Sequence, residues 1–329
     1  MSSDSKVKPK DVQLSWTSNI NADGEYIRAV STFRNRVKAD GSGFFPAESG
    51  RYHLYISFGC PWAHRTLLYR KLKGLENVIT VDVVDWHLAE GGWKFNPDRP
   101  GCTTDRVNNF EYLSQVYHLS DPDYNGRVTV PVLFDKVKNI VVNNESSEII
   151  SMLNSEFNEF CATPEQRELD LRPSHLASEI DELNSWIYAQ INNGVYRAGF
   201  ARKQPAYDRA VIEVFEGLDK VEGILAKNRY LTGKEITEAD VRLFVTLIRF
   251  DLVYVLHFKC NLKRIIDYPN IWGYVRDIYQ TPGISDTINF EHMKKHYMVS
   301  HDSINPRAIV AKGPAIDFNL PNDRKKLDQ

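Results

Sequence analysis

A single cysteine lies where a strand-like run of residues gives way to a helix-like run. Residues 52–57 are aromatic and β-branched, Gly59 allows a tight turn, and Pro61 suits the first position of a helix, where its missing N–H group is not needed. Cys60 is therefore predicted to lie at a helix N-terminus. Free backbone N–H groups and the helix dipole favour thiolate over thiol there. We expect a sulfur that is nucleophilic near neutral pH.

The residues around Cys60 limit the thiol chemistry open to it. Ala63 occupies the position where a Cys-x-x-Cys motif would have its second cysteine. An adduct on Cys60 must then be resolved by an external thiol, with Cys102 as an internal alternative. A lone cysteine is more often a small buried hydrophobic residue. The strand, the glycine and the proline around this one favour a reactive role instead.

Composition limits the classes of protein to consider. The 329 residues, 42% of them hydrophobic, suffice for about two domains, each with its own core. A net charge of −2 without a long basic run argues against binding to nucleic acid or to acidic membranes. The N-terminal residues lack the apolar core of a signal peptide, and charges interrupt the most apolar run, 241–258, so neither a signal peptide nor a membrane span is expected. Scattered cysteines predict a reduced, cytoplasmic protein without a disulfide framework; they are Cys60, Cys102, Cys161 and Cys260.

The first half of the chain has the pattern of an α/β domain. Residues 1–48 are predicted to form an N-terminal extension whose apolar patch, 26–33, lies over the body of the protein, and residues 49–158 to form the domain. A strand, a helix and a second strand make a parallel unit at its start. The predicted elements are strands at 52–57, 78–84, 128–135 and 140–142, and helices from Pro61 to about Gly74 and from about Ser146 onward.

A long loop, 85–127, interrupts this domain. It is rich in glycine and proline and has one weakly helical piece near 111–118. Loops of this length in compact domains are usually functional or disordered. Trp86 and Trp93 argue against complete disorder.

A proline interrupts the strand-like run that follows the loop. Pro131 either marks an edge strand or follows a cis Val130–Pro131 bond, which would present the backbone of Val130 to a ligand. The next helix is predicted to begin with Ser146 or a neighbour as its cap and Glu148 in its first turn.

The second half of the chain is predicted to be an all-helical domain at 165–300, followed by a tail, 301–329. Apolar residues recur at spacings of three and four. Thr237 and Asp240 have the spacing of a capping box at the start of a central, buried helix. The predicted helices are 174–192, 207–225, one beginning near 237, 270–279 and 284–296.

Several motifs occur together in one order along the chain. They include Ser57-Phe58-Gly59-Cys60-Pro61-Trp62-Ala63-His64-Arg65, Gly91-Gly92-Trp93-Lys94-Phe95, Arg127-Val128-Thr129-Val130-Pro131-Val132-Leu133, Asn143-Asn144-Glu145-Ser146-Ser147-Glu148-Ile149, Asn192-Asn193-Gly194-Val195-Tyr196, Thr237-Glu238-Ala239-Asp240, Arg249-Phe250-Asp251 and His296-Tyr297.

With these motifs, residues 25–315 resemble the glutathionyl-hydroquinone reductases, the Xi-class glutathione transferases related to the omega class, and a fungal-type member is expected. The resemblance implies an N-terminal thioredoxin-like domain with a mixed sheet and a cis-proline, followed by an all-helical glutathione transferase domain. Phe134 occupies a position where the family has tryptophan, which changes packing more than chemistry.

The resemblance also implies a glutathione site. The backbone of Val130, beside Pro131, would pair with the cysteinyl part of glutathione like an added strand. Glu145 would pair with the γ-glutamyl ammonium, and Ser146 at the helix N-terminus would receive its carboxylate. Completing the implied site are Trp93 and Arg127, the latter facing the glycyl carboxylate.

The reaction implied by the resemblance is the reduction of glutathionyl-hydroquinones to free hydroquinones. Cys60 would take the glutathionyl group as a mixed disulfide, and a second glutathione, the co-substrate, would release glutathione disulfide. Because a direct attack would expel an aryl carbanion, the ring must first be protonated to a keto tautomer that leaves as an enolate. Tyr196 matches the family's proton donor, while Tyr254 and Tyr297 match tyrosines that approach the cysteine and would stabilise its thiolate.

Other functions remain open from the sequence. An omega-like thioltransferase or dehydroascorbate reductase would use the same cysteine, and a non-catalytic carrier of aromatic ligands would not need it. A conjugating transferase is disfavoured because Cys60 replaces the serine or tyrosine that such enzymes use. No nucleotide cofactor is expected. No metal is expected either, because the histidines that could suggest a zinc site lack a His-Glu-x-x-His pattern; they are His292, His296 and His301. Family members are commonly homodimers, and the same is expected here.

Overall fold

The apolar run before Cys60 forms a central strand of a mixed sheet in the computed structural model, which describes residues 19–328. All five residues of this strand are buried, because it has a neighbour on each side and is covered on both faces. The strands are β1 (Val37–Lys38), β2 (Phe45–Pro46), β3 (Tyr52–Ile56), β4 (Thr80–Val83), β5 (Val132–Asp135) and β6 (Ile140–Asn143). The order in the sheet is β4-β3-β5-β6, with β3 parallel to β4 and antiparallel to β5. The prediction of a mixed sheet is confirmed.

Helices dominate the rest of the described chain. They are α1 (Pro61–Leu72), α2 (Leu113–Ser120), α3 (Ser146–Ser155), α4 (Pro164–Glu168), α5 (Ala177–Ile187), α6 (Gly194–Gly199), α7 (Gln204–Leu225), α8 (Glu238–Arg249), α9 (Val255–His257), α10 (Pro269–Tyr279) and α11 (Phe290–Ser300). Short π-helical turns, Tyr188–Asn192 and Phe250–Tyr254, continue α5 and α8. No helix between residues 19 and 328 is both long and apolar enough to cross a membrane.

Helix α8 is the central helix of the second domain, as predicted. Thr237 caps it, and the Asp240 carboxylate accepts a hydrogen bond of 2.8 Å from the Thr237 backbone N–H. Burial raises the pKa of Asp240. At the other end of α8, the fully buried Arg249 donates to the carbonyl oxygens of Phe58 and Gly59, 3.0 and 3.1 Å away. The helical domain therefore holds the turn that leads to Cys60.

The N-terminal segment lies over the body of the protein. Tyr26 is buried against Phe200 of the helical domain, and the Phe33 backbone N–H donates to Asn144 of the first domain. The apolar patch predicted at 26–33 is therefore placed as expected. Residues 1–18 of the predicted extension lie outside the described residues.

The long loop, 85–127, is held by α11. The carbonyl oxygens of Trp86 and Pro100 lie 2.9 Å from His296 Nδ1 and 2.7 Å from His292 Nε2, and the Ser300 hydroxyl accepts from the loop backbone at 3.0 Å. The weak helix predicted near 111–118 is α2. Contacts with the second domain thus fix the path of a loop that has little regular structure of its own.

Two predicted elements differ most from the structure, each for a local reason. The strand predicted at 128–135 begins only at Val132, because the Val130–Pro131 bond before it is cis and its backbone leaves the sheet. The helix predicted at 284–296 is broken: a 3₁₀ turn, Ser285–Thr287, precedes α11, and the side chain of Asn289 caps α11 by accepting from the His292 N–H.

Candidate functional site

A cavity of about 510 Å³ lies between the two domains and beneath the N-terminal segment. Eight of the ten residues predicted to form the site line it, although they come from distant parts of the chain. They are Cys60, Trp93, Arg127, Val130, Pro131, Glu145, Ser146 and Tyr196. Tyr254 and Tyr297, the other two, are buried behind the lining.

Cys60 is the N-cap residue of α1, as the strand and proline pattern predicted. Its residue is 8% exposed, and its thiol donates to the carbonyl oxygen of Val130 at 3.5 Å. Burial raises the pKa of the Cys60 thiol, while the N–H groups of Ala63 and Trp62 and the charges of Arg249 and Arg28 act in the opposite direction. The sequence predicted that the helix start lowers the pKa of Cys60, but it did not predict the burial, which has the larger effect.

A buried cation beside Cys60 comes from the helical domain. Arg249 donates from Nη1 to His64 Nδ1 at 3.0 Å, and His64 Nε2 lies 2.9 Å from the Thr287 hydroxyl. Since an arginine can only donate, His64 carries its proton on Nε2 and is neutral. Burial and the Arg249 charge hold the pKa of His64 well below its usual range. The positive charge therefore stays on Arg249, where it favours the Cys60 thiolate.

The N-terminus of α3 forms the part of the cavity that suits an amino acid. Glu145 caps the helix by accepting from the Ser147 N–H at 3.1 Å, and its other oxygen accepts from Ser31 at 3.0 Å. The buried hydroxyl of Ser146 accepts from Arg65 Nη1 at 3.4 Å. A carboxylate beside a helix start and a guanidinium can receive an ammonium and a carboxylate at neighbouring points.

Val130 and Trp93 flank the cysteine. Val130 precedes the cis-proline and directs its carbonyl oxygen toward Cys60. The Trp93 ring stacks on His296 with centroids 5.2 Å apart. Arg127 lines the cavity and is half-buried. Backbone, ring and cation therefore border the space where a peptide thiol would meet Cys60.

Three tyrosines form a connected cluster on the helical side. The Tyr297 hydroxyl lies 2.6 Å from that of Tyr196 and 2.9 Å from that of Tyr254. Burial raises the pKa of Tyr254 to about 12 and the pKa values of Tyr196 and Tyr297 well above their usual range. Tyr196 alone of the three lines the cavity. The cluster can therefore present a protonated hydroxyl to a substrate through Tyr196.

Some cavity residues were not assigned a role by sequence reasoning. Arg28 lies in an extended segment without periodicity, so nothing in the pattern marked it. Arg65 belongs to a quoted motif, but only the fold shows that it reaches Ser146 and also Asn192, the latter at 3.1 Å. Burial, with the nearby charge of Arg242, lowers the pKa of Arg65 to about 9.

The other candidate groups of the sequence lie outside the cavity lining. Cys102, the alternative resolving thiol, donates to Val84 at 3.6 Å, and burial raises its pKa to about 11. Of the three histidines considered as metal ligands, His292 and His296 bind loop carbonyls. Within residues 19–328, no His, Cys, Asp or Glu side chains are grouped in threes or more as metal ligands would be.

Two family models match the chain: glutathione S-transferase, N-terminal domain, at residues 59–156, and glutathione S-transferase, C-terminal domain, at residues 204–277. The chain is 51% identical over 315 residues to the glutathionyl-hydroquinone reductase YqjG of Escherichia coli (strain K12), which covers 94% of this chain and 95% of that protein. The glutathione-bound structure of YqjG has a TM-score of 0.86 at 53% identity, covering 89% of this chain and 96% of that one. The glutathione-S-transferase Xi of Phanerochaete chrysosporium has a TM-score of 0.88 at 49% identity, covering 92% and 97%.

Proposed function

This chain belongs to the glutathione transferases and, within them, to the Xi class of glutathionyl-hydroquinone reductases, and from this premise we propose that it reduces glutathionyl-hydroquinones to free hydroquinones with glutathione as co-substrate. The observation that carries the proposal is the convergence of Cys60, the cis-proline loop, the start of α3 and Tyr196 on one cavity. A conjugating transferase would need a serine or tyrosine where Cys60 lies.

Glutathione recognition is assigned to the first domain. The backbone of Val130, before Pro131, pairs with the cysteinyl part of the tripeptide. Glu145 and Ser146 receive the γ-glutamyl ammonium and carboxylate, with Arg65 holding the Ser146 hydroxyl. On the remaining side of the cavity, Arg127 faces the glycyl carboxylate and Trp93 borders the thiol.

The chemical steps follow from the nature of the leaving group. Tyr196 protonates the ring carbon that bears sulfur while a ring hydroxyl gives up its proton, which restores the tyrosine hydroxyl, and the ring becomes its keto tautomer. The Cys60 thiolate then attacks the glutathionyl sulfur, so an S–S bond forms, the C–S bond breaks and the ring leaves as an enolate. A second glutathione reduces the mixed disulfide and leaves as glutathione disulfide. Tyr297 and Tyr254 hold the Tyr196 hydroxyl through their own hydroxyls.

The proposal extends to the organisation of the protein. We assign residues 49–158 to the glutathione-binding domain, 165–300 to the helical domain and 301–329 to a tail. A homodimer in the cytoplasm, and a fungal-type sequence, stay predictions from the family resemblance. Size-exclusion chromatography with light scattering tests the dimer directly.

The test is the release of hydroquinone from glutathionyl-menadiol in the presence of glutathione. The wild-type protein is expected to release it, and Cys60→Ser and Cys60→Ala are expected to lose the activity, because neither side chain can form the mixed disulfide. Cys161→Ser is the matched control, since Cys161 lies outside the cavity lining and donates to Phe157. Mass spectrometry without added glutathione should find one glutathionyl group on Cys60.

Each contrary outcome points to a different function. Disulfide reduction without release of hydroquinone would make the chain an omega-like thioltransferase. Binding of aromatic ligands without either activity, unchanged by loss of Cys60, would make it a carrier.

A further inference from the structure

The N-terminal segment brings a cation into the cavity. The Arg28 guanidinium carbon lies 4.6 Å from the ring centroid of Trp62 and 4.7 Å from that of Tyr196. Arg28 Nε donates to Asn193 Oδ1 at 2.8 Å. Two aromatic rings and one amide therefore fix the orientation of this side chain beside the proposed proton donor.

One arm of the Arg28 fork has no acceptor among residues 19–328. Nη2 is buried and makes no hydrogen bond to the described residues, and no carboxylate between residues 19 and 328 forms an ion pair with Arg28. Buried donors are nearly always paired in folded proteins. A buried, unpaired guanidinium N–H on the wall of a cavity indicates that the acceptor belongs to a ligand.

We propose that Arg28 Nη2 donates to a ring oxygen of the hydroquinone and stabilises the negative charge that this oxygen carries when the ring leaves. The inference rests on the proposed function. When the Cys60–glutathione disulfide forms, the electron pair of the broken C–S bond passes into the ring and becomes the enolate. The two sulfurs are oxidised to the disulfide, the ring carbon is reduced, and protonation of the enolate oxygen gives the free hydroquinone.

The surroundings of Arg28 suit an aromatic oxygen. Trp62 and Tyr196, which lie beneath the guanidinium, both line the cavity and give it an aromatic wall. A fixed cation placed where charge develops requires no rearrangement during the reaction. The same charge acts against the burial that raises the pKa of Tyr196. Arg28 is thus placed to assist both the proton transfer and the departure of the ring.

The test compares two substrates that both react with Cys60, of which only the first has a ring with an oxygen. One is glutathionyl-menadiol, and the other is the mixed disulfide of glutathione with 2-hydroxyethanethiol, which has no ring. Arg28→Ala is expected to lower kcat for hydroquinone release about 10²-fold, the size of effect seen when one donor to a developing oxyanion is lost. Reduction of the mixed disulfide should fall far less, because that reaction loses only the contribution of the Arg28 charge to the Cys60 thiolate. Arg28→Lys should restore only part of the loss, because an ammonium keeps the charge but not the fork.

Arg36→Ala is the matched control, because Arg36 belongs to the same segment but contacts Ser151, outside the cavity lining. Equal losses of Arg28→Ala on both substrates would mean that Arg28 serves Cys60 or a glutathione carboxylate, and this would overturn the inference. An unchanged rate of hydroquinone release would overturn it as well. Failure of the wild-type protein to release hydroquinone would instead refute the proposed function, and that result is obtained before any variant is made.

Discussion

At the scale of single residues, Tyr196 is the side chain whose chemistry the structure defines most narrowly. Its hydroxyl is buried and lies 2.6 Å from Tyr297, and burial keeps its pKa well above the usual range. Tyr196 is therefore protonated at neutral pH. In the proposed mechanism this hydroxyl protonates the ring, whereas thiol-disulfide exchange needs no ring protonation.

We expect Tyr196→Phe to separate these two activities. Hydroquinone release should fall about 10²-fold, a typical contribution of general acid catalysis. Reduction of a glutathione mixed disulfide should remain, because the phenyl ring keeps the cavity wall intact. Steady-state kinetics with both substrates measure the effect, and Tyr207→Phe, which removes a hydroxyl bonded to the Lys259 carbonyl, is the control. Parallel losses of both activities would show that Tyr196 acts on Cys60 and not on the ring.

Residues of the site differ in how far the sequence could predict them. Cys60 was found from local signals alone, because strand, glycine and proline fix its place at a helix start. Arg28 and Arg65 were not assigned roles, since each meets the cavity through contacts made by other parts of the chain. Arg65 contacts Ser146, Asn192 and the Arg242 carbonyl oxygen, which only the assembled domains bring together.

At the scale of elements, the turn before α1 packs closely against α11. A Cβ atom added at Gly59 would lie 2.5 Å from His296 Cβ, closer than side chains tolerate. Arg249 already holds this turn through the carbonyl oxygens of Phe58 and Gly59. The close approach places Cys60 near Trp93, which stacks on His296.

Gly59→Ala is therefore expected to destabilise the protein and to lower its activity. Overpacking of this kind costs about 1–3 kcal/mol of unfolding free energy. Hydroquinone release should fall as well, because relief of the clash moves Cys60 relative to α11. Urea denaturation and kinetics on the same preparation test both effects. Gly223→Ala in α7 is the control, since nothing lies within 4 Å of the added atom and alanine favours a helix; equal stability of the two variants would contradict the expected packing.

The elements themselves were largely predictable, and the errors have physical causes. Periodicity identified α7, α8 and α10, because each buries one strongly apolar face or is buried throughout. It did not show the break before α11, because Asn289 caps that helix by a side-chain hydrogen bond. The apolar pattern also predicted that β5 begins at residue 128, but residues 128–131 form the loop at the cis-proline.

At the scale of the whole molecule, the cavity exists only where three parts of the chain meet. The two domains were predicted from the change in pattern near residue 160, and each resembles a known unit. The N-terminal segment was predicted to lie over the body of the protein. Its path could not be predicted, because an extended segment has no periodic pattern of apolar residues. Its contacts are specific nonetheless: Arg28 bonds to Asn193 of the helical domain, and Ser31 to Glu145 of the first domain.

Several imidazoles are buried in the helical domain and where it meets the first domain. Burial lowers the pKa values of these histidines below their ordinary range, to about 4 for His257 and His296. They are therefore neutral in the folded protein at pH 7. The group comprises His64, His257, His292, His296 and His301.

Stability is consequently expected to fall as the pH is lowered below about 6.5, the ordinary pKa of histidine. Between about pH 6.5 and 4 the unfolded chain binds protons at His257 and His296 and the folded chain does not, so the free energy of unfolding decreases with falling pH by up to about 1.4 kcal/mol per unit for each of these two groups. Asp240 and Asp251, whose pKa values burial raises, act in the opposite direction at the acid end. Urea denaturation at pH 7.5, 6.5 and 5.5 measures the net slope.

Comparison with His257→Gln isolates one contribution from that slope. Glutamine does not titrate, so this variant should lose less stability between pH 7.5 and 5.5 than the wild type, although it is less stable at pH 7.5 because the contact of 3.0 Å with His301 is altered. His175→Gln, at an exposed position, is the matched variant for the effect of the substitution itself. A wild-type stability that is level over this range would mean that the buried imidazoles gain protons in the folded state. In that case His64 could carry a positive charge beside Arg249, and Arg249 would no longer be the single cation of this pair. The source of the positive charge that favours the Cys60 thiolate would then have to be identified again.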